Sequence, residues 1–339
     1  MRIALMLPAV LAVNGPGNGV RVQVEQQANA LEVLGHEVIR LNAWTPFDGR
    51  PFDILHGVSG GFPLQNFDRI GRTAAARVGL APMLDTNEPV WRYRLAARLG
   101  RTVPKIYTVP GELSRQAHGC DVVVCRSESE RRRVVGGLGV PAAKANIVLN
   151  GVGPPPAANP AIARQLLGFD GDFVLHLSSY GHARKNVERL IEAVGPTGIP
   201  LVIAGPTLET DRLTAVRLLT AKFPSVRLLG FLAPVERDAL LAACRVFALP
   251  SEHEGTGLAA LEAAAGGAAV VITNRGGASD YFGPHATYVS PYDILGIRRA
   301  VEAAMIAPRS GLLADHLRTV LTWRRSAEML VEAYAAAGR

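Results

Sequence analysis

Strand-length segments alternate with helical segments along this chain of 339 residues. Residues 3–7, 37–41 and 53–56 have the length and character of buried strands, and a helical pattern over residues 23–34 separates the first two. Strands that alternate with helices are typical of parallel sheets with helices on both faces. The alternation therefore predicts an α/β fold of the doubly wound kind.

The pattern restarts after a proline-rich stretch, GVGPPPAANP, at residues 151–160. Its prolines remove backbone donors and fix φ, so we expect a stiff extended linker. Residues 173–177 are then predicted to form the first strand of a second domain, and a helix follows over residues 186–194. We predict an N-terminal domain at residues 1–150, the linker at 151–160, a second domain at 161–318 and a helical C-terminal segment at 319–339.

The composition is that of a globular protein, with 48% hydrophobic and 19% charged residues. No segment approaches the roughly 18 uninterrupted apolar residues that span a bilayer. The start, MRIALMLPAVLAVNG, has features of a signal peptide, but a first strand, a glycine-rich loop and a helix explain it better. Cys120, Cys125 and Cys244 lack metal-binding spacing. We expect no cleavage, and a cytoplasmic protein.

Two glutamates, Glu254 and Glu262, lie in the segment PSEHEGTGLAALEAAAGGAAVV. The second interrupts a run of Leu, Ala and Gly, where an unpaired carboxylate would be very costly, so it needs a polar partner or a water-filled cleft. A short strand over residues 246–249 precedes a glycine turn and a helix that starts near Leu258. The free backbone N–H groups at such a helix start favour an anion.

The spacing E-x7-E, with GTGL between the glutamates and AAAGG after them, closely resembles the signature of retaining GT-B glycosyltransferases of family 4. The resemblance implies two Rossmann-like domains facing across a cleft, with the last helix crossing back to the N-terminal domain. It assigns the acceptor to the N-terminal domain and a nucleotide-sugar donor to the second. It implies that Glu262 binds the ribose hydroxyls, while Glu254 and the backbone of Thr256, Gly257 and Leu258 face the donor sugar and its phosphates.

Arg184 and Lys185 precede the first helix of the second half, in SSYGHARKNVERLIEAV. Both side chains suit the oxygens of a departing diphosphate. The resemblance places the family's phosphate-binding lysine on Lys185. Many relatives have an arginine slightly upstream, where this chain has the sequence Ser178-Ser179-Tyr180. Those residues can donate hydrogen bonds without charge, so we expect Arg184 and Lys185 to carry more of the leaving group.

The segment GPGNGVRV resembles the family's glycine-rich loop in the N-terminal domain, with Gly19 at the second glycine, and the resemblance implies that Gly19 binds the donor. Glycine-rich turns after a first strand also occur in NAD-binding domains. Here Gly15, Gly17 and Gly19 give GxGxG rather than GxGxxG, and Asn42 stands where a ribose-binding acid would be expected. A nicotinamide oxidoreductase is therefore the weaker alternative.

Two residues compete for the family's N-terminal histidine. Asp85, in APMLDTNEPVWRYR, stands near the position where many relatives carry that histidine at a strand end. It can accept a sugar hydroxyl or cap the next segment. His56 is predicted to end a strand, and either a role near the acceptor or a structural role fits it.

The resulting functional hypothesis is a retaining transfer of a sugar from a nucleotide diphosphate sugar to a hydroxyl acceptor. The resemblance implies front-face attack assisted by the departing phosphate, and we expect neither a metal, nor another cofactor, nor a nucleic-acid partner. Asp170 and Asp172 spell D-x-D, the metal motif of the other glycosyltransferase fold. Here they precede a strand, where Asp and Gly are ordinary turn residues. A nucleotide-sugar epimerase on the same fold and a non-enzymatic nucleotide-sugar binding protein are the alternatives.

Positive charge is concentrated in the first half, where residues 1–150 contain 18 Lys and Arg against 12 Asp and Glu. Five of these cations follow Trp91: Arg92, Arg94, Arg98, Arg101 and Lys105. The four arginines precede Pro104, where we expect the helix to end. Three of the arginines have helical spacing and predict a basic face. We hypothesise an anionic or lipid-linked acceptor at the cytoplasmic face of a membrane, as in glycolipid or polysaccharide assembly. A solvated helix is the alternative.

Overall fold

A computed structural model of the chain describes residues 1–12, 18–42, 44, 48–103, 105–206 and 211–337. Two compact units divide it. The first contains Met1–Gly151 and the C-terminal segment from Thr322, and the second is Val152–Leu321. From the sequence, we predicted these divisions after residues 150 and 318.

The first unit is a parallel sheet of six strands with helices on both faces. Its elements, in chain order, are β1 (Arg2–Met6), α1 (Gly19–Val33), β2 (Glu37–Arg40), β3 (Phe52–Val58), α2 (Phe67–Gly71), β4 (Ala75–Ala81), α3 (Val90–Thr102), α4 (Val109–Gly119), β5 (Val122–Cys125), α5 (Glu128–Leu138), β6 (Ala145–Ile147) and the C-terminal α14 (Trp323–Ala336). The strands lie in the order β2-β1-β3-β4-β5-β6. Short 3-10 turns cover Ala9–Ala12, Phe62–Leu64 and Ala142–Lys144.

The second unit repeats this architecture, again with six parallel strands. Its elements are α6 (Pro160–Leu167), β7 (Val174–Leu177), α7 (Val187–Val194), β8 (Leu201–Ala204), α8 (Asp211–Thr220), β9 (Val226–Gly230), α9 (Pro234–Ala243), β10 (Val246–Leu249), α10 (Leu258–Ala265), β11 (Ala269–Thr273), α11 (Ala278–Phe282), β12 (Thr287–Val289), α12 (Ile294–Ile306) and α13 (Leu312–Val320). The strand order is β12-β11-β10-β7-β8-β9. The predicted α/β class, with two doubly wound sheets, is confirmed.

Both faces of each sheet are buried, as the apolar strands predicted. In the first unit the neighbours Ile54 and Leu55 on β3 belong to different core clusters, because successive side chains point to opposite faces. The cluster around Ile54 includes Leu31 of α1 and Leu330 of α14. The C-terminal helix α14 is thus part of the core of the first unit.

Two predicted boundaries are wrong. His56 does not end its strand, because β3 continues to Val58 and pairs there with Ala81 of β4. The C-terminal segment is not one helix from residue 319. Instead α13 ends at Val320, and Thr322 caps α14 by accepting a hydrogen bond from the N–H of Arg325. No helix in the described ranges combines the length and apolar character that crossing a membrane requires.

Candidate functional site

The loops that follow β7, β10 and β11 lie at one edge of the second sheet, because these strands are parallel neighbours. Ligands of open α/β sheets bind outside this carboxyl edge. The loop after β7 carries Arg184 and Lys185 in a 3-10 turn, Ala183–Lys185, just before α7. The loop after β10 carries Glu254. The fold therefore brings together residues that lie about 70 positions apart in the sequence.

Hydrogen bonds to backbone carbonyls connect these loops to one another. The N–H of Glu252 donates to the carbonyl of Arg184 at 2.8 Å, and the N–H of Glu254 donates to the carbonyl of Arg275 at 3.1 Å. The buried amide of Asn186 donates to the carbonyls of Pro250 and Pro291 at 2.8 and 2.7 Å. This role of Asn186 was not predicted from the sequence. Its φ of +57° lies in the left-handed region, which asparagine adopts more readily than most residues.

Lys185 and Glu254 form an ion pair at the centre of this edge. The Lys185 Nζ lies 2.6 Å from Oε1 of Glu254, and the side chains are 15% and 6% exposed. An Arg184 guanidinium nitrogen lies 3.9 Å from the other carboxylate oxygen and donates to the carbonyl of His253 at 2.8 Å. Two cations thus share one buried carboxylate, which leaves a net positive charge among these three side chains.

The protonation state of Glu254 follows from these contacts. Burial by itself raises the pKa of this carboxyl group. The charges of Lys185 and Arg184, together with hydrogen bonds from Lys185 and Ser251, outweigh burial, so the pKa of Glu254 lies below its ordinary value. Glu254 is therefore a carboxylate at neutral pH.

Helix α10 begins beside this pair. Gly257 has φ +78° and precedes the helix as its N-cap, and an added Cβ there would meet Ile272 at 3.1 Å. The N–H groups of Ala260 and Leu261 both donate to the carbonyl of Gly257. Leu258 and the residue after it, as the first two of the helix, have no acceptor within it and can bind an anion.

The uncharged residues after β7 have fewer free hydrogen-bond donors than the sequence predicted. His176 lies in β7, and its Nδ1 is 2.8 Å from the carbonyl of Ala248, which can only accept. Its Nε2 is therefore unprotonated and accepts a hydrogen bond from the hydroxyl of Ser178 at 2.7 Å. Tyr180 is buried in the core. Of the three residues expected to donate to phosphate, Ser178 already donates its hydroxyl hydrogen bond to His176.

Glu262 already has a partner that the sequence analysis missed. Its carboxylate pairs with the guanidinium of Arg237 from α9, which also contacts Asp238. The Glu262 side chain is 28% exposed. The surrounding protein raises the pKa of Glu262, and Arg237 offsets only part of that rise. No sequence pattern links residues 237 and 262, because they meet only through the packing of α9 and α10.

Asp85 and Gly19 belong to the first unit. Asp85 follows β4, and its Oδ1 lies 2.9 Å from the guanidinium of Arg126, which also binds Glu130 at 3.0 Å. Helix α3 begins at Val90 with Pro89 as its N-cap, so Asp85 does not cap it. The pairing of Arg126 with Asp85 and Glu130 was not predicted from the sequence, because Arg126 precedes the N-cap of α5, Ser127, and lies outside the helix.

His56 is buried, and burial lowers its pKa to about 4. Gly19 is the first residue of α1, whose N–H groups at Val20 and Arg21 donate to the side chain of Asn18. The predictions for Gly15, Gly17 and Pro104 lie outside the described residues.

The acids of the D-x-D sequence make ion pairs. Asp170 lies 2.7 Å from Arg164, and Asp172 lies 3.8 Å from Arg245 and 3.6 Å from Arg309. Among the described residues no group of three or more His, Cys, Asp or Glu side chains is arranged to hold a metal ion. Independence from metals remains a prediction.

Comparison with known proteins gives a family match over part of the second unit. Residues 161–311 match the family described as "Glycosyl transferases group 1", and this segment contains Arg184, Lys185, Glu254 and Glu262. The chain is 28% identical over 179 residues to the "Serotype-specific mannosyltransferase WbdA" of Escherichia coli, which covers 48% of this chain and 22% of WbdA. The chain thus matches about a fifth of that relative's length.

Solved structures match nearly the whole chain. A glycosyltransferase from Rickettsia africae ESF-5 has a TM-score of 0.76 and 13% identity, covering 99% of this chain and 98% of its own. The structure of Anabaena HepE in complex with UDP-glucose has a TM-score of 0.71 and 16% identity, covering 99% and 100%. The fold is GT-B. At these identities the structural matches support the fold alone, while the family match and the named sequence relative support a glycosyltransferase.

Proposed function

We propose that this GT-B protein transfers a sugar from a nucleotide diphosphate sugar to a hydroxyl acceptor, with retention at the anomeric carbon and without a metal. One observation carries the proposal. The buried Lys185–Glu254 pair, with Arg184 beside it, lies next to the start of α10 inside the segment that matches the glycosyltransferase family. The complex of the related fold of HepE with UDP-glucose supports a donor of this class.

In this proposal the leaving diphosphate is the group that the site stabilises. Lys185 and Arg184 supply positive charge, and the first N–H groups of α10 supply hydrogen bonds, where negative charge develops as the sugar departs. These groups are fixed by the loop contacts before the donor arrives, so little reorganisation is needed. The hydroxyl of Ser178 does not donate to the diphosphate, because it already donates a hydrogen bond to His176.

Glu254 has two tasks in this mechanism. Its carboxylate holds Lys185 in place, and it faces the donor sugar, whose hydroxyls can donate to it. Glu262 anchors the ribose, and Arg237 keeps that carboxylate oriented. The proposed chemistry has no covalent nucleophile. The departing phosphate takes the proton of the incoming hydroxyl on the same face of the sugar, which retains the anomeric configuration.

The acceptor is proposed to be anionic or lipid-linked and presented at the inner face of a membrane, as in glycolipid or polysaccharide assembly. The charge excess of the first half supports this. WbdA, the related mannosyltransferase, is named as serotype-specific.

Turnover of candidate donors tests the proposal. The protein is incubated with UDP-, GDP- and ADP-linked sugars, and release of nucleoside diphosphate is measured alone and with hydroxyl acceptors, followed by NMR of the anomeric proton in the product. Slow release alone and faster release with an acceptor are expected, with the anomeric configuration of the donor. A thermal shift without any turnover would identify a binding protein instead. Conversion of the donor sugar to its epimer would identify an epimerase.

A further inference from the structure

Helix α3 presents large apolar side chains to solvent. Trp91, Leu95 and Leu99 are 62%, 52% and 39% exposed and follow one another at intervals of four residues. Such spacing places them on one helix face, one above another. Exposed large apolar residues continue beyond the helix: Val103, Ile106, Tyr107 and Val109. We call Trp91, Leu95 and Leu99 the α3 stripe. A contiguous exposed apolar surface of this kind marks an interaction site.

The opposite face of α3 is packed against the first unit. Ala97 is buried, and Tyr93 packs against the core cluster. Gly100 allows close approach to α4, since an added Cβ would clash with Oγ1 of Thr108 and lie 3.0 Å from Cα of Gly111. Because this inner face is fixed so tightly, the α3 stripe cannot rotate into the core.

Cations flank the α3 stripe. At about 100° per residue, Arg94, Arg98 and Arg101 lie along one side of it and Arg92 along the other. Arg94 donates to the carbonyl of Gly136 and Arg101 contacts Ser114, so these two are anchored to the first unit, and Arg92 pairs with Glu88, just before the helix, at 3.1 Å. The predicted basic face is therefore only partly free. All four arginines are nevertheless exposed, and the 13 residues of α3 contain no acid.

We infer that the α3 stripe inserts into the headgroup region of an anionic lipid bilayer, with the flanking arginines on the lipid phosphates. Charge complementarity selects this partner, because a helix with an apolar centre, basic edges and no acid matches an anionic interface. Trp91 on the stripe and Tyr107 just beyond it are of the type that concentrates at such interfaces. The α3 stripe would bring the protein to the membrane that carries the acceptor of the proposed function. Only this purpose rests on the proposed function, and lipid binding itself does not.

Insertion differs measurably from adhesion by charge. Attraction between arginines and anionic lipid is screened at high salt, whereas burial of apolar side chains is not. Sedimentation is measured with vesicles of phosphatidylcholine alone and with 30% phosphatidylglycerol, at low and high salt. We expect binding to the anionic vesicles that persists in part at high salt. A variant carrying Trp91→Ser, Leu95→Ser and Leu99→Ser should lose at least about tenfold in vesicle affinity.

A matched control variant carries Leu295→Ser, Ile306→Ser and Leu312→Ser, which are exposed apolar residues of the second unit. It should bind vesicles like the wild type. Because all six residues are exposed, both variants should keep the wild-type circular dichroism and melting temperature. Equal affinity of the stripe variant and the control would overturn the inference.

Fluorescence locates Trp91 directly. The chain has three tryptophans, so Trp44→Phe and Trp323→Phe leave Trp91 as the reporter. Its emission should shift to the blue on anionic vesicles and be quenched by brominated lipid. Vesicle binding without quenching would mean attachment by charge alone and contradict insertion, and no vesicle binding would point to a protein partner. Donor turnover by the stripe variant in solution is measured separately, so failure of the proposed enzyme activity is distinguishable from failure of membrane docking.

Discussion

The Nζ of Lys185 lies 2.6 Å from Oε1 of Glu254, although the two residues belong to loops that follow different strands. Because the carboxylate is almost fully buried, it depends on this cation and on Arg184 for its charge. The same cation is the one we propose for the leaving diphosphate. Stability and activity therefore share one side chain at this site, and variants can separate the two contributions.

Lys185→Met should lower both quantities. The free energy of unfolding should fall by about 3 kcal/mol, because a buried carboxylate loses its nearest partner. Donor turnover should fall about a hundredfold, because charge on the leaving group is no longer stabilised. Lys222→Met, at an exposed lysine of the same unit, is the control and should change neither.

The double variant Lys185→Met with Glu254→Gln separates these effects. Denaturant titration should show part of the stability restored, since no unpaired carboxylate remains, while turnover stays low. Recovery of activity in the double variant would contradict the role proposed for Lys185.

Glu262→Gln should act on donor binding. A hydrogen bond from a hydroxyl to a charged acceptor contributes about 1.5 to 3 kcal/mol, and it is made equally in ground and transition states. We expect the donor KM to rise about ten- to a hundredfold with little change in kcat. Glu192→Gln, at an exposed glutamate of the same unit, is the control. An unchanged KM with a collapsed kcat would exclude ribose binding by Glu262.

Arg237→Met should make donor binding depend on pH. Arg237 offsets part of the rise that burial causes in the pKa of Glu262, so its removal raises that pKa further. A protonated Glu262 has less capacity to accept hydrogen bonds. As the pH falls, the donor KM should therefore begin to rise at a higher pH in the variant than in the wild type, as steady-state kinetics across the acid range would show. Superimposable profiles would argue against this pairing in solution.

A chelator should leave activity unchanged. Asp170 and Asp172 pair with arginines, and the proposed mechanism places protein cations on the diphosphate. Turnover is measured after EDTA treatment and after addition of Mg²⁺ or Mn²⁺. Loss with chelator and return with metal would require a metal in the mechanism.

Acid should destabilise the fold partly through His176. Burial lowers the pKa of this histidine to about 4, mainly by disfavouring the cation. Its folded pKa is below its unfolded value, so its contribution to stability is full above the unfolded pKa of about 6.5 and is lost as the pH falls toward about 4. His176→Gln should show a shallower loss of unfolding free energy between these limits. His182→Gln, at an exposed histidine, should keep the wild-type slope.

Much of the architecture was readable from the sequence. Strands such as β10 are fully apolar because both faces are covered, and Gly257 marks the start of α10 because its φ is positive. Arg184, Lys185 and Glu254 were each expected to act on the donor, and the fold brings them together because they follow neighbouring strands of one sheet.

Other features depend on packing between distant segments. The pairing of Arg237 with Glu262 arises where α9 meets α10, and local pattern carries no trace of it. The proton of Ser178 is committed to His176, which in turn is oriented by a carbonyl on the neighbouring strand. The position of His56 inside β3 depends on how far that strand pairs with β4.

The cluster of Asp85, Arg126 and Glu130 separates structural from functional carboxylates. Glu130 is buried and accepts the N–H groups of Leu84 at 2.6 Å and Arg126 at 2.7 Å besides the guanidinium of Arg126. Glu130→Gln should lower the free energy of unfolding by about 3 kcal/mol, because it weakens a buried charge pair and a loop contact together. Asp85 is 30% exposed, so Asp85→Asn should lower it by less than about 1 kcal/mol.

In catalysis the order of the two effects should reverse, so that Asp85→Asn lowers the rate of sugar transfer more than Glu130→Gln does. If Asp85 accepts a sugar hydroxyl, Asp85→Asn lowers transfer to the acceptor, while release of nucleoside diphosphate from the donor alone stays unchanged. Chemical denaturation gives the stabilities, and paired assays with and without acceptor give the two rates. An Asp85→Asn variant that transfers sugar at the wild-type rate would leave Asp85 as a partner of Arg126 alone, and the acceptor site would then need another residue of the first unit.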